Sequence, residues 1–475
     1  MSKFNVAKKP NKTKTYEGGD TYVKNPLEEW MNFLFSSKMD NGFYKTSSTQ
    51  QNRFIDLTKK VIEKYGATFV AKCAFFARNE LGMRSASQLV AAMLNDETFD
   101  RKRQFFKNFM HRADDPAEVF AAVDMLNSKR SHALIRGTSD FISSLGEYQI
   151  MKYQMKNKRY NMYDIVNIVH PKSKVVDDFK NNRLAPADTW EVGISTGSTN
   201  FKTLVEQKKL GYLALIRNIN NLFKENVDKH WIQTILCPQL TNPTTIKKSL
   251  VFPYQIYTTY KNLNAHNFDV DHALDEAFII ACGNMPKLNG KSLVMLDVSG
   301  SMDDKYGDNS ILSIKQAGAC YAAALCFNSH CDFVKFGNNA KRLEYFCAEN
   351  AFGLIDKMCE NDNCGYGTDI SSAFKMIANK KYDRIFLISD MQTITTSVTW
   401  VCSVPGIDTY NKYCAKNGRT LLYSFDLGNY RSQVVNPNNP NVHLMTTLNG
   451  HVFKMLKYIE SGGNLYNYIN DNFNF

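Results

Sequence analysis

The stretch Ser292-Leu293-Val294-Met295-Leu296-Asp297-Val298-Ser299-Gly300-Ser301-Met302 decides how this chain folds. Ser292 to Leu296 is mostly large and apolar, and it is closed by a carboxylate and then by a hydroxyl at every second position. A short apolar run that ends in polar residues and a Gly reads as a buried strand of a parallel sheet. Open α/β sheets place their ligands beyond the carboxyl ends of such strands. One Asp and two Ser, with no Cys or His, form a hard, all-oxygen donor set suited to Mg²⁺ or Mn²⁺.

Two later segments complete the set. Gly365-Tyr-Gly367-Thr368-Asp369 is a Gly-rich loop that opens a helical stretch, and Arg384-Ile-Phe-Leu-Ile-Ser389-Asp390 is a second apolar run ending in a carboxylate. Asp-x-Ser-x-Ser, a distant Thr and a distant Asp at a strand end resemble the metal-ion-dependent adhesion site (MIDAS) of the von Willebrand factor A domain family. The resemblance implies a metal site of Asp297, Ser299, Ser301, Thr368 and Asp390. The hydroxyls would be direct ligands, and the two carboxylates would act directly or through water.

Around this point the chain alternates strand and helix. Strands are expected at 292–297, 332–336, 384–390 and 419–427, and helices near 309–327, 351–359, 370–379 and 452–461. That order makes an α/β doubly wound, Rossmann-like sheet. Gly283-Asn-Met-Pro286-Lys-Leu-Asn-Gly290 reads as the boundary before it. Upstream the pattern is helical for some 250 residues. Val70, Cys73, Ala74, Ala77 and Leu81 fall on one helix face, and Ser85–Leu94, Pro116–Leu126, Ser143–Gln154 and Leu210–Leu222 read similarly. Asp96, Asp115 and Asn161 stand where N-caps belong. Short helices at such intervals suggest stacked antiparallel pairs, an α-solenoid or a helical ring. The expected domains are a flexible basic tail over 1–20, an α-helical repeat domain over 21–285 and the A-like domain over 290–475.

The chain has 475 residues, 44% hydrophobic and 22% charged, enough for two or three full cores and too apolar for a disordered chain. No apolar run approaches the ~20 residues of a membrane helix, and the first residues carry no apolar core of signal-peptide length. A cytoplasmic, monomeric protein with no membrane contact is expected. Eleven scattered Cys, with no Cys-x-x-Cys, read as buried free thiols. Residues 1–290 hold 41 Lys and Arg against 29 Asp and Glu, whereas residues 291–475 hold 17 of each. An excess confined to the helical part suits a polyanion partner there, or a Lys-rich solubilising surface.

The helical part carries its own resemblance. Gly18-Gly19-Asp-Thr-Tyr22, Ala77-Arg78-Asn79-Glu-Leu-Gly82-Met-Arg84-Ser85, Gly211-Tyr-Leu-Ala-Leu-Ile-Arg217-Asn218-Ile-Asn-Asn221, and Ile246-Lys247-Lys248-Ser249 with Pro253 resemble the TROVE domain. TROVE followed by an A domain with its metal motif resembles the Ro autoantigen family, in the form of a bacterial or phage Ro-like protein. The resemblance implies a HEAT-like repeat ring and a ribonucleoprotein active in RNA quality control and processing. It implies small noncoding, Y-type RNA on a basic outer surface, single-stranded 3′ ends of misfolded RNA in the ring, and an exoribonuclease partner.

The implied RNA-binding residues centre on Lys152, Lys156 and His170. Tyr163 stands where the family has a basic residue, and an extra residue near Lys158–Arg159 lets these two compensate. The residues themselves agree in kind. Lys152 and Lys156 are spaced for one helix face, Lys158 and Arg159 follow, and no acidic residue lies between 148 and 163. Tyr153 and Tyr160 flank the run and could stack on bases. Lys247 and Lys248 either line the ring or begin a helix. Arg217 reads equally as a buried structural residue or a contact, and Arg101-Lys102-Arg103 as a helix surface. No arrangement of nucleophile, base or paired carboxylates supports catalysis, so no enzyme and no catalytic residue is expected. The alternative reading is a metal-dependent protein-interaction module whose A domain takes an acidic side chain from a partner.

Overall fold

The computed structural model describes residues 12–14, 20–23, 26–36, 47–155, 157–307, 310–344, 350–392, 409–428, 432–436, 439–445, 456, 460 and 465–475. The chain divides into two compact units, residues 1–32, 40–50 and 210–453 in one, and 33–39, 51–209 and 454–475 in the other. This division differs from the expected break near 285–290. Helices Pro253–Lys261 and Phe268–Cys282 pack on helix Ile314–Ser329 of the α/β part, so residues 210–282 belong with the sheet.

The first unit holds a six-stranded sheet. Its strands are β3 (Ser292–Asp297), β4 (Asp332–Phe336), β5 (Ala340–Leu343), β6 (Arg384–Ser389), β7 (Leu421–Asp426) and β9 (Val442–Met445), in the order β5-β4-β3-β6-β7-β9. All neighbours are parallel except the β4–β5 hairpin at the edge. Side chains alternate faces with period two. Leu293, Met295, Ile385 and Leu387 join a cluster with Ile370, Phe374, Tyr410 and Tyr413 from helices Ile370–Met376 and Thr409–Asn417. The opposite face carries Leu296 and Ile388, where helix Ile314–Ser329 crosses so closely that a Cβ at Gly318 would stand 2.7 Å from Leu296 Cδ1. Covering both faces explains the unbroken apolar runs, and the doubly wound expectation holds in this topology.

Strand 384–389 and helices 351–359 and 370–376 lie where the apolar runs place them. The edge hairpin strand β5, strand β9 and helix Thr409–Asn417 were not legible in the pattern. The helix expected over 452–461 falls, apart from Leu456 and Glu460, outside the described residues. The tail expectation is corrected in part. Lys12–Lys14 (β1) pairs with Asp20–Val23 (β2), which pairs with Ser432–Gln433 (β8), and Thr21 Oγ1 donates to the Gln433 carbonyl at 2.8 Å. A polar strand needs only a partner edge, which its own sequence does not reveal.

The second unit is helical in its described residues from 51 to 209. Helices two apart in sequence pack side by side. Ala67–Asn79 lies on Lys102–Phe109, Lys102–Phe109 on His132–Ser143, and Ser85–Met93 on Asp115–Met125. Gly137 permits the second of these contacts, because a Cβ there would meet the Arg103 carbonyl at 2.6 Å and Phe106 Cβ at 2.7 Å. Val70, Cys73, Ala74 and Ala77 are buried on helix Ala67–Asn79, together with Phe69, Ala71 and Phe76, and Leu81 is buried just past its end.

Three helix expectations are corrected. The run 143–154 is not one helix: His132–Ser143 ends first, and a new helix covers only Glu147–Lys152. Leu210–Leu222 divides at Asn218 into Tyr212–Arg217 and Ile219–Lys224. Of the three expected caps Asn161 acts as one, accepting from Asp164 N. Asp96 starts no helix, and Asp115 is already inside its helix. Fully buried, Asp115 accepts from Arg78, from Gln88 and from the backbone N–H of His111 and Arg112. An acidic residue at a helix start can serve the core as readily as the cap when a buried Arg faces it.

Candidate functional site

β3 lies at the centre of the sheet, and the chain leaves it toward β4 on one side and later returns to β6 on the other. The carboxyl ends of β3 and β6 therefore flank a point where strand order reverses, the place where such sheets bind ligands. Asp297 ends β3 and Asp390 follows β6, and both are about 1% exposed or less. The turn after β3 is a single 3-10 turn, Gly300–Asp303, which brings Ser299 Oγ and Ser301 Oγ to 3.4 Å. Gly300 N donates to the Tyr366 carbonyl at 2.9 Å, and Asp369 N to the Gly337 carbonyl at 2.8 Å. The first bond holds the Gly365–Asp369 loop, with buried Thr368, against the β3 turn, and the second ties it to the end of β4.

The electrostatics of the site are set by two buried carboxylates. Asp297 Oδ1 accepts from Ser299 N at 2.9 Å and Oδ2 from Ser389 Oγ at 2.6 Å, yet burial still raises its carboxyl above the usual range. Asp390 is pushed up to about 7, first by burial and then by the negative charge of Asp297. Asp390 Oδ1 accepts from Gln392 N at 3.2 Å, while Oδ2 is buried with no hydrogen-bond partner. Lys315 supplies the nearest positive influence on Asp297, and its Nζ is tied to Asp303 at 2.7 Å. A buried, unpaired carboxylate oxygen beside a second carboxylate and two hydroxyls calls for a cation. The donors are all hard oxygens, so the residues present fit Mg²⁺ or Mn²⁺. Among the described residues no three His, Cys, Asp or Glu cluster suitably for a metal, so any ion here rests on the hydroxyls as well. Ser389 and Lys315 were missed in the sequence. Ser389 alone left a signal, as the one hydroxyl in an apolar strand.

The basic residues divide between the two units. Lys152 ends helix Glu147–Lys152, because Tyr153 leaves helical geometry at φ −112° and ψ 50°. The helix that carries Lys152 ends there, and Lys156 lies outside the described residues. Lys152 Nζ donates to Tyr148 Oη at 3.2 Å and lies 5.4 Å from that ring, and Arg112 stands 5.0 Å over the Tyr153 ring. Lys158 and His170 are exposed, the latter in the left-handed region at φ 47°.

Arg159 is exposed but pairs with Asp124 at 2.9 Å. Asp124 also takes Arg130 at 2.6 Å and Tyr160 Oη at 2.5 Å. Asp124 comes from another helix, so the acid-free interval in sequence is not acid-free in space. Tyr160 belongs to this network and is not a free stacking platform. Tyr163 is likewise structural, stacked on Phe179 at 4.3 Å with its hydroxyl donating to Asn182. Lys247 and Lys248 are exposed at the end of helix Pro243–Ser249 in the other unit, and Arg217 is exposed rather than buried. Arg103 pairs bidentately with Asp140, and Lys102 turns inward onto the Asn95 and Glu97 carbonyls.

The chain thus holds one helical unit and one unit built on a mixed α/β sheet, the latter with a buried oxygen cluster at the sheet's switch point. The TROVE domain model matches residues 180–276. The chain is 25% identical over 226 residues to "RNA-binding protein RO60" of Deinococcus radiodurans, an alignment spanning 44% of this chain and 41% of that protein. The crystal structure of the Deinococcus radiodurans RO (RSR) protein superposes with a TM-score of 0.63 at 16% identity, covering 92% of this chain and all of that one. The chain is thus similar to the Ro protein in fold and carries a TROVE match in residues 180–276. Among the described residues no helix is long and apolar enough to cross a membrane.

Proposed function

We propose that this protein binds RNA, and that the exposed cationic side chains about Lys152, Lys158 and Arg159 form part of the surface that does so. The observation that carries the reading is their exposure on a unit with aromatic neighbours, in a chain similar to a protein named for RNA binding. Phosphates supply sequence-independent affinity to Lys and Arg, and single strands add stacking on Tyr. Lys158 contributes a whole free charge. Arg159 contributes less, because Asp124 already neutralises it in part. The finer reading is a ribonucleoprotein role in RNA quality control, with Y-type RNA on the basic surface and 3′ single strands as the second ligand. An exoribonuclease is the expected partner.

The test is binding of a structured RNA with a single-stranded 3′ end across a salt series. Affinity should fall steeply with salt, and the Lys152/Lys158/Arg159→Ala variant should flatten the slope by roughly 1.5 in log–log terms, since each single-strand phosphate contributes ~0.7 and Arg159 counts only in part. A salt-independent affinity, or an unchanged slope in the variant, removes this surface from the reading.

The buried carboxylate oxygen on Asp390 supports a second component. Asp297, Ser299, Ser301, Thr368 and Asp390 would hold Mg²⁺ or Mn²⁺ in an A-domain-like site, with Ser389 and Gln392 N fixing the two carboxylates. Such an ion, when bound, supplies a coordination position for an acidic side chain of a partner protein. Asp297→Ala separates the roles: RNA binding survives it, and a partner held through the metal is lost.

A further inference from the structure

Helix Lys102–Phe109 of the helical unit borders a cavity of about 550 Å³, lined by Arg101, Arg103, Gln104, Asn108, Asn474 and Phe475. Gln104 and Asn108 stand one turn apart on one face of that helix, and Arg101 holds its N-cap position. The facing wall is the segment that follows helix Leu465–Asn472. Phe475 is fixed among Phe75, Phe99 and Phe105, with ring centroids at 6.4, 6.0 and 5.2 Å, and Phe473 packs edge-on against Phe76 at 5.0 Å. These two buried rings hold Asn474, exposed between them, at the cavity. Arg101, Arg103, Gln104 and Asn108 are exposed as well, so a ligand in the cavity can reach their polar groups. Among the described residues neither the Arg101 guanidinium nor the side-chain amides of Gln104, Asn108 and Asn474 make a hydrogen bond. Arg103 gives Nε and Nη2 to Asp140, which leaves its Nη1.

Two guanidinium groups and three carboxamides line this cavity, and no carboxylate side chain does. A guanidinium presents a planar fork of donors that matches a phosphate. A carboxamide presents a donor and an acceptor side by side, which matches the edge of a nucleobase, as Asn and Gln do with adenine. A simple anion would use the guanidinium and leave the amides idle, and a neutral ligand would do the reverse. We infer that this cavity is a binding site for a single nucleotide, with its phosphate on Arg101 and its base edge on Gln104, Asn108 and Asn474. The volume lies in the range of roughly 300–1,000 Å³ usual for small-molecule sites. None of these residues belongs to the Lys152–Arg159 surface or to the Asp297 site, so the nucleotide site stands apart from both.

The full chain is titrated with AMP by calorimetry and ligand-observed NMR, alongside adenosine and inorganic phosphate, the two parts of that ligand. The expected result is saturable one-site binding of AMP, with each part at least about tenfold weaker. Arg101→Gly, which suits the left-handed backbone at φ 57°, weakens AMP about tenfold and leaves adenosine unchanged. Asn108→Ala with Asn474→Ala weakens AMP and adenosine alike. Far-UV circular dichroism verifies that the variants fold. A short oligoadenylate separates the two sources of the nucleotide: competition with AMP that both variants lose assigns the site to a strand, and no competition assigns it to the free nucleotide. AMP without saturable binding overturns the site. So does inorganic phosphate that binds as tightly as AMP, or a pair of variants that keep the parent's affinity.

Discussion

Ser389 Oγ donates to Asp297 Oδ2 at 2.6 Å, so the hydroxyl that closes β6 is committed to the carboxylate that closes β3. The two strands are parallel neighbours, and this bond ties their ends across the point where a cation would sit. Ser389→Ala leaves Asp297 with a buried oxygen short of a donor. The variant should lose about 1–3 kcal/mol in denaturant unfolding, and saturating Mg²⁺ should restore part of it. Unchanged stability would mean that water replaces the serine.

Asp390 is the strained member of the pair, buried beside the charge of Asp297 with one oxygen unpartnered. Asp390→Asn removes that repulsion. The variant should be more stable than the parent without metal by about 1–3 kcal/mol, and should no longer gain stability from Mn²⁺ or Mg²⁺. Thermal unfolding with and without the ion reads both effects at once. A metal-dependent rise in Tm equal to the parent's would place the ion elsewhere.

In the helical unit Arg78 and Asp115 form the opposite case, a buried pair with its carboxylate satisfied. Arg78 Nη2 lies 2.7 Å from Asp115 Oδ2, and Gln88 and two backbone N–H groups complete the carboxylate. Asp115→Ala strands the guanidinium in the core, at a cost of about 3–5 kcal/mol. Guanidinium unfolding followed by circular dichroism should show this loss. Arg103→Ala breaks the half-exposed Arg103–Asp140 pair and should cost at most ~1 kcal/mol.

His443 predicts a pH dependence. It stacks on Tyr423 at 5.3 Å on strand β9, and burial, with a smaller contribution from Arg419, lowers its imidazole from 6.5 to about 4. Above pH 6.5 both folded and unfolded chains hold it neutral, and it has no effect. Below that the unfolded chain takes up the proton first, so stability falls as pH drops from 6.5 toward 4. The loss should be about 1–2 kcal/mol, allowing for partial exposure. His443→Phe keeps the stacked ring and should remove this component from the stability–pH curve; an unaltered curve would assign the acid loss to other groups.

What the sequence determined by itself is the part governed by local periodicity. Ser292–Asp297, Asp332–Phe336 and Arg384–Ser389 are apolar because both faces of the sheet are covered, and a run of that kind is legible residue by residue. That Asp297 and Asp390 close two apolar runs was legible too, whereas the full set with Ser299, Ser301 and Thr368 came from the resemblance to the A domain. Tertiary structure decided what depends on distant neighbours. The residue facing Asp297 is Ser389, 92 positions away, and no spacing rule selects it. Asp124 neutralises Arg159 and Arg130 from a separate helix, so the charge of the 148–163 interval could not be judged from that interval alone. Strands β1, β2 and β8 of the three-stranded sheet are two to four residues long, and only pairing makes them strands. Charge, burial and pairing are properties of the surroundings, and a one-dimensional pattern records them only where one element supplies its own neighbours.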